Sequence, residues 1–192
     1  MAKPVKILAF SGSTRKDSWN KKLLKVAIES FGSEAEVTVL DLKDYPLPLY
    51  DADLEEAEGQ PENAHKLRKI FAAHDGFLIA SPEYNGSYSG VLKNTLDWVS
   101  RPDETGEYGT AFRGKVAVLL AASEGTAGGR RGLDKLQSLL FNLKVIVLPD
   151  MYGLGSAAEA FNKAGRLKDK TVEENVHGVA KKLVTAALKL SA

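Results

Sequence analysis

Residues 11–20 read SGSTRKDSWN, and what lies on either side of them decides the fold. Before them, residues 5–10 (VKILAF) are short, apolar and partly β-branched, the pattern of a buried strand, and the run breaks at Ser11 and Gly12. After them, Leu23, Leu24, Ala27, Ile28 and Phe31 recur at helical spacing from Asn20 onward, with Gly32 placed to stop the helix. A strand, a loop of small polar residues and a helix N-terminus make an anion site. The first N–H groups of the helix have no partner within it, and the positive end of its dipole faces whatever the loop holds. Ser11, Ser13, Thr14 and Ser18 can donate hydrogen bonds to a phosphate, and Arg15 can close over it as a planar charged fork. The same residues also allow a plainer arrangement, in which Ser18 or Asn20 caps the helix and Arg15 and Lys16 lie in solvent. Neither GxxxxGK[ST] nor GxGxxG occurs at this turn, so a bound phosphate would be a monophosphate ester rather than a triphosphate.

Composition narrows the function classes. The 192 residues fit one domain with a sizeable core. With 26 Lys and Arg against 25 Asp and Glu, the formal net charge is +1, so no field of one sign recruits nucleic acid or an anionic membrane. No apolar run is long enough to span a bilayer, and MAKPVK lacks the apolar centre of a signal peptide, which makes a cytoplasmic location the expectation. The absence of cysteine removes disulfides, thiolate metal sites and thiol catalysis together. His65, His74 and His177 are scattered, and no metal site is expected.

Further along, residues 36–41 (EVTVLD) read as a second strand. Residues 43–59 (KDYPLPLYDADLEEAEG) form a long connection whose Leu47, Leu49 and Tyr50 point to packing on a ligand or a second subunit. Pro61 starts a helix carrying Ala64, Leu67, Ile70 and Phe71. Residues 76–80 (GFLIA) are a third strand, followed by SPEYNGSYSG and a helix over about 90–99; residues 101–114 read as a polar, hairpin-like insertion. Residues 115–122 (KVAVLLAA) are a fourth strand running into SEGTAGGRRG, then a helix with Leu133, Leu136, Leu140 and Leu143, and residues 145–148 are a fifth strand. Residues 149–170 are irregular, with room for a short helix capped by Ser156 and stopped by Gly165. Thr171 with Glu174 forms a capping box for a final helix with a regular apolar stripe.

This alternation of strands and helices, with centrally apolar strands, predicts a parallel sheet covered on both faces. Ligands in such sheets sit at the carboxyl ends of the strands. Residues 11–20, 81–90 and 123–132 follow the first, third and fourth strands and are the loops richest in Gly, Ser and Asn. One site built from all three accounts for this, although polar connecting loops are common in any case.

The segments GSTRKDSWN (12–20) and SPEYNGSYSGVLKNTLDW (81–98), with PLYDAD (48–53), resemble the NADPH-dependent FMN reductases, a family that includes quinone, chromate and azo-dye reductases. The resemblance implies an α/β flavodoxin-like domain over residues 1–192, with a doubly wound five-stranded parallel sheet in the order 2-1-3-4-5. It implies that Ser13, Arg15, Ser18 and Asn20 bind or shape the FMN phosphate site, that Pro82, Glu83, Tyr84 and Asn85 run along the isoalloxazine ring, and that Ser123, Glu124 and Gly125 face its pyrimidine edge. NADPH or NADH would be the hydride donor and a small molecule the electron acceptor, with no side-chain acid or base required. Arg15, Lys16 and Arg101 are candidates for the extra phosphate of NADPH. A homodimer or dimer of dimers is implied, for which Trp98, Leu92 and Leu96 offer an apolar face.

Two rivals are weaker. A flavodoxin-type electron carrier would hold FMN without oxidising NADPH itself, but such carriers usually present an acidic face, which a net charge of +1 does not supply. A nicotinamide-binding reading of GLGSAA (153–158) lacks a following strand to provide an acidic ribose ligand.

Overall fold

The computed structural model describes residues 3–190, so the expected domain limits at 1 and 192 lie just outside the described residues. Strands β1 (Val5–Ser11), β2 (Ala35–Leu40), β3 (Gly76–Ala80), β4 (Val116–Ala122), β5 (Ile146–Val147) and β6 (Tyr152–Leu154) form one sheet. It is parallel throughout and ordered β2-β1-β3-β4-β5, with β6 also paired to β4. The order 2-1-3-4-5 therefore holds, but two short pieces fill the fifth position. β5 pairs with Val116 and Ala117, while β6 pairs with Leu120 to Ala122. Pro149 lies in the gap between them, and a residue without an N–H cannot continue a ladder. The segment expected to be irregular thus contributes a strand.

Helices α1 (Trp19–Ile28), α2 (Ala52–Glu58), α3 (Glu62–Ala72), α4 (Gly90–Ser100), α5 (Arg130–Asn142), α6 (Ala157–Ala160) and α7 (Lys170–Leu190) complete the chain. Side chains alternate across each strand, which sorts the core into two layers. Ile7, Ala9, Leu78, Ala80, Val118 and Leu120 face α1 and α7. Leu8, Phe10, Phe77, Ile79, Ala117 and Leu119 face α3, α4 and α5. The central strands are apolar on both sides because helices cover both sides.

Several local expectations are corrected. α1 ends at Ile28, where Ser30 Oγ donates to the Ala27 carbonyl at 2.7 Å, and Gly32 does not adopt the left-handed conformation of a helix stop. Asp169, not Thr171, caps α7: its Oδ1 accepts from the N–H of Thr171 at 2.8 Å and of Val172 at 3.5 Å. Ser156 precedes α6 at φ 46° and makes no side-chain cap, and the helix is over by Ala160, short of Gly165. α2 interrupts the long connection; it buries no residue, so no apolar period announced it, and Asp51 caps it. Residues 101–114 are not a hairpin. They turn around Asp103, whose Oδ1 accepts from Thr105 N at 2.8 Å and Thr105 Oγ1 at 2.6 Å, and they return Ala111 and Phe112 to the core. The Thr105 and Thr110 hydroxyls hold the Asp103 carboxyl far below its usual range.

The largest correction concerns α4. Trp98, Leu92 and Leu96 are core residues, not a free face. The chain's own connection covers them: Trp98 Nε1 donates to the Pro48 carbonyl at 2.8 Å, Asn94 Nδ2 donates to the same carbonyl at 2.8 Å, and Tyr50 meets Trp98 edge-on at 5.0 Å. Asn94 Oδ1 accepts from Tyr50 N at 2.8 Å, so α4 grips the extended segment by its backbone. Arg101 is committed as well, paired with Glu55 at 2.7 Å and lying over the rings of Tyr50 and Tyr108. Its guanidinium is thus part of a structural cluster, away from the lining of the cleft where the three polar loops meet.

Candidate active site

At the carboxyl ends of β1, β3 and β4 the three polar loops meet in one open cleft of about 210 Å³. Ser13, Arg15, Ser18 and Asn20 line it from the first loop, Pro82, Glu83 and Tyr84 from the second, and Ser123 and Glu124 from the third. Ser11, Thr14, Asn85 and Gly125 belong to the same loops but do not line the cleft. Trp19 and Ala122 do, and neither was singled out from the sequence.

The first loop is held from beneath. Ser18 is the N-cap of α1, its Oγ accepting from Lys21 N at 3.4 Å, so part of the capping arrangement is present alongside the cleft. Asn20 is 3% exposed and spends its whole amide on one residue: Nδ2 donates to the Ala122 carbonyl and Oδ1 accepts from the Ala122 N–H, both at 2.9 Å. It shapes the site by tying α1 to the end of β4. Gly12 lies so close to α4 that a Cβ there would sit 3.1 Å from Leu92 Cδ2, and the Ser89 hydroxyl, which caps α4, donates to the Gly12 carbonyl. Ser89 is a third contributor, after Trp19 and Ala122, not singled out from the sequence, although a Ser just before a helical pattern is a cap signal. Arg15 and Thr14 are exposed at the rim.

In the second loop, Asn85 (φ 52°) and Gly86 (φ 76°) form the centre of a tight turn closed by two hydrogen bonds between Tyr84 and Ser87. An Asn-Gly pair is suited to two successive positive φ values. Asn85 is therefore a turn-former, and it holds Tyr84, 51% exposed, at the cleft. Glu83 is anchored differently. Its Oε1 accepts from Arg131 Nε at 3.1 Å and Nη2 at 2.8 Å, and its Oε2 accepts from the Gly132 N–H at 3.0 Å in the first turn of α5. The carboxylate is thus a fastener for the PEYN wall, placed where a helix dipole favours negative charge. Glu83→Ala is expected to destabilise the protein by about 1–3 kcal/mol, mostly through the unpaired Gly132 N–H, because an Arg131 side chain 75% exposed makes a screened ion pair. Chemical denaturation of the two proteins checks this.

In the third loop, Ser123 Oγ accepts from Gly125 N at 3.1 Å, which turns that N–H inward on its own loop. Glu124 Oε1 accepts from Trp19 Nε1 at 3.2 Å. Lys22, paired with Asp17 at 2.5 Å, holds the Asp17 carboxyl below its usual range. Among the described residues no group of His, Asp and Glu could hold a metal ion, and no helix is long and apolar enough to cross a membrane.

The residues present fit a phosphate-bearing flavin. Ser11, 2% exposed at the end of β1, has a fully buried hydroxyl with no hydrogen-bond partner, beside a loop that leads into the N-terminus of α1. A buried donor without an acceptor is costly, and in the same loop Ser13, Ser18 and Arg15, which do line the cleft, are donors suited to a phosphate ester.

Comparison with known proteins agrees with this geometry. Residues 5–159 match the model of the NADPH-dependent FMN reductase family. The chain is 38% identical over 176 residues to an NAD(P)H-dependent FMN reductase of Pseudomonas aeruginosa, covering 91% of this chain and 90% of that protein. It is 36% identical over 174 residues to a quinone reductase of Pseudomonas putida, covering 89% of each. Among solved structures it superposes on the flavoenzyme NAD(P)H:(acceptor) oxidoreductase FerB of Paracoccus denitrificans with a TM-score of 0.82 at 29% identity, over 96% of this chain and 98% of that one. A parallel sheet in the order 2-1-3-4-5, a cleft at its carboxyl edge and matches over most of the chain have one reading: this protein belongs to the NADPH-dependent FMN reductase family.

Proposed function

We propose that the chain is an FMN-dependent NAD(P)H oxidoreductase that passes electrons to a small-molecule acceptor such as a quinone, free flavin, azo compound or metal oxyanion. The observation that carries this is the single cleft in which all three polar loops meet. FMN, when bound, supplies the redox chemistry between NADPH or NADH and the acceptor. Everything else asked of the chain is binding and orientation. Ser13 and Ser18, which line the cleft, offer hydroxyls and α1 offers its N-terminus to the phosphate, with Arg15 closing from the rim and Ser11 and Thr14 set back in the same loop. Pro82 and the anchored Glu83 give a fixed wall, and the exposed Tyr84 gives the nicotinamide a surface to lie against. Asn85 and Gly125 support this wall and the third loop from within their turns. No side chain is assigned a proton. With Arg15 engaged on the FMN phosphate, the exposed Lys16 beside it is available for the extra phosphate of NADPH.

The test is optical. Apoprotein titrated with FMN should quench the flavin's fluorescence, and NADPH alone should then bleach its visible bands. Failure to bind FMN would overturn the reading, and binding without bleaching would favour the electron-carrier alternative. Arg15→Ala should weaken FMN binding by about 1–3 kcal/mol and leave riboflavin binding unchanged, because the contact it removes is to phosphate. Parallel titrations with the two flavins separate these outcomes.

We further propose that residues 1–192 act as one reductase domain in the cytoplasm, supported by α7, which lies beyond the family match yet packs on β1, β3 and β4. A homodimer or homotetramer is retained as part of this reading, although the connection over α4 removes the face first expected to form it. That connection leaves Leu49 81% exposed on the same side. A solution mass showing only monomer would remove the assembly from the proposal.

A further inference from the structure

Trp19 and Glu124, both lining the cleft, join two of its three loops by a side-chain to side-chain hydrogen bond, from Trp19 Nε1 in the first loop to Glu124 Oε1 in the third, at 3.2 Å. The indole is oriented by more than this bond. Its ring stacks on Phe161 at 5.7 Å with planes 9° apart, and the Lys22 ammonium lies over it at 4.1 Å, itself paired with Asp17 at 2.5 Å. Phe161 is buried at the end of α6, so the indole rests against a fixed surface and its N–H has a set direction. Glu124 is exposed, and its carboxylate accepts a side-chain hydrogen bond from Trp19.

We propose that Trp19 is a positioning residue that clasps the Glu124 loop to the N-terminus of α1 and so retains FMN in the cleft. The proposal rests on the FMN reading above. With this bond made, the loop assigned to the phosphate end and the loop assigned to the ring end of the cofactor are joined at the rim, and its loss frees the Glu124 loop to move away from the cofactor. The same bond keeps a carboxylate on the α1 side of the cleft, satisfied by a donor of its own.

The experiment measures FMN release from the holoprotein in stopped flow, by the recovery of flavin fluorescence on dilution into a large excess of flavin-free buffer. Trp19→Phe keeps a smaller ring against Phe161 and beneath Lys22 while removing the donor, and Glu124→Ala removes the acceptor. Each should release FMN about fivefold faster, as expected for one hydrogen bond to a charged group near solvent. The double variant should be no faster than either single one, since both break the same bond. Glu124→Gln should fall between the parent protein and Glu124→Ala, because an amide oxygen still accepts but the bond loses its charge assistance. A merely structural role would not produce this pattern, and Glu124→Ala apoprotein should melt with the parent. Parent-like release in both single variants, fully multiplicative effects in the double variant, or an effect of Trp19→Phe without one of Glu124→Ala would each overturn the clasp while leaving the FMN reading intact. A parent protein that takes up no FMN at all would instead overturn the reading on which it rests.

Discussion

Gly128→Ala is expected to destabilise the protein by about 3 kcal/mol or more and to abolish tight FMN binding. Gly128 has φ +63°, and a Cβ there would lie 2.6 Å from both the carbonyl carbon and the oxygen of Gly153. Both atoms are backbone, so no rotamer change relieves the clash. The loop after β4 and the end of β6 approach each other here main chain against main chain. Gly153 meets the Gly128 carbonyl in the same way, and Gly155 meets Thr126. Moving the loop would also draw Ser123 and Glu124 from the cleft. Gly106→Ala is the control: its φ is +82° but its Cβ would find nothing within 4 Å. That variant should show only the conformational cost, about 1 kcal/mol. Guanidinium denaturation of the two variants separates strain from collision, and equal losses would show that the contact between the two loops is not what makes Gly128 necessary.

Asn20→Ala should cost about 2–4 kcal/mol, because it leaves both the N–H and the carbonyl of Ala122 unpaired in a buried place. Asn20→Asp sharpens the test through its pH dependence. One oxygen can still accept from the Ala122 N–H, but the other faces the Ala122 carbonyl, and burial with that repulsion raises the carboxyl's pKa in the folded state. The sign follows from linkage. Below about 3.9, the ordinary Asp value, the protonated group donates to the carbonyl and the penalty is absent. As pH rises past that value the unfolded chain gains by ionising, and stability falls until the folded-state pKa is passed. Stability curves of this variant at acidic and neutral pH check the slope, and a flat difference from the parent would show that the carboxylate escapes to water.

Much of this architecture could be read from residues in sequence. VKILAF, GFLIA and KVAVLLAA are apolar on both faces of their strands, which only a sheet covered on both sides demands, and the three loops that follow them do converge. Contacts between distant residues were not legible. The partner of Asn20 lies at Ala122, and no local pattern encodes a bond across that separation. Trp98 and Leu96 have the same periodicity whether a second subunit or the chain's own proline-rich connection covers them, and PLPLY has no period to declare that it lies on α4. Arg101 looked like any free cation until Glu55, on a helix without an apolar face, came to meet it. Trp19 sits between two residues that were picked out for their polar chemistry, and its role depends on Glu124 and Phe161, far along the chain.

The divided fifth strand has a consequence for how molecules of this protein meet at high concentration. An open sheet invites a strand from a neighbour wherever its last strand shows a long row of free backbone donors and acceptors. On the β5–β6 side the row comes in pieces of 2 and 3 residues, out of line with each other around Pro149. A neighbouring chain could gain too few consecutive hydrogen bonds there to nucleate a fibre, so this border of the sheet is guarded against polymerisation by its own discontinuity.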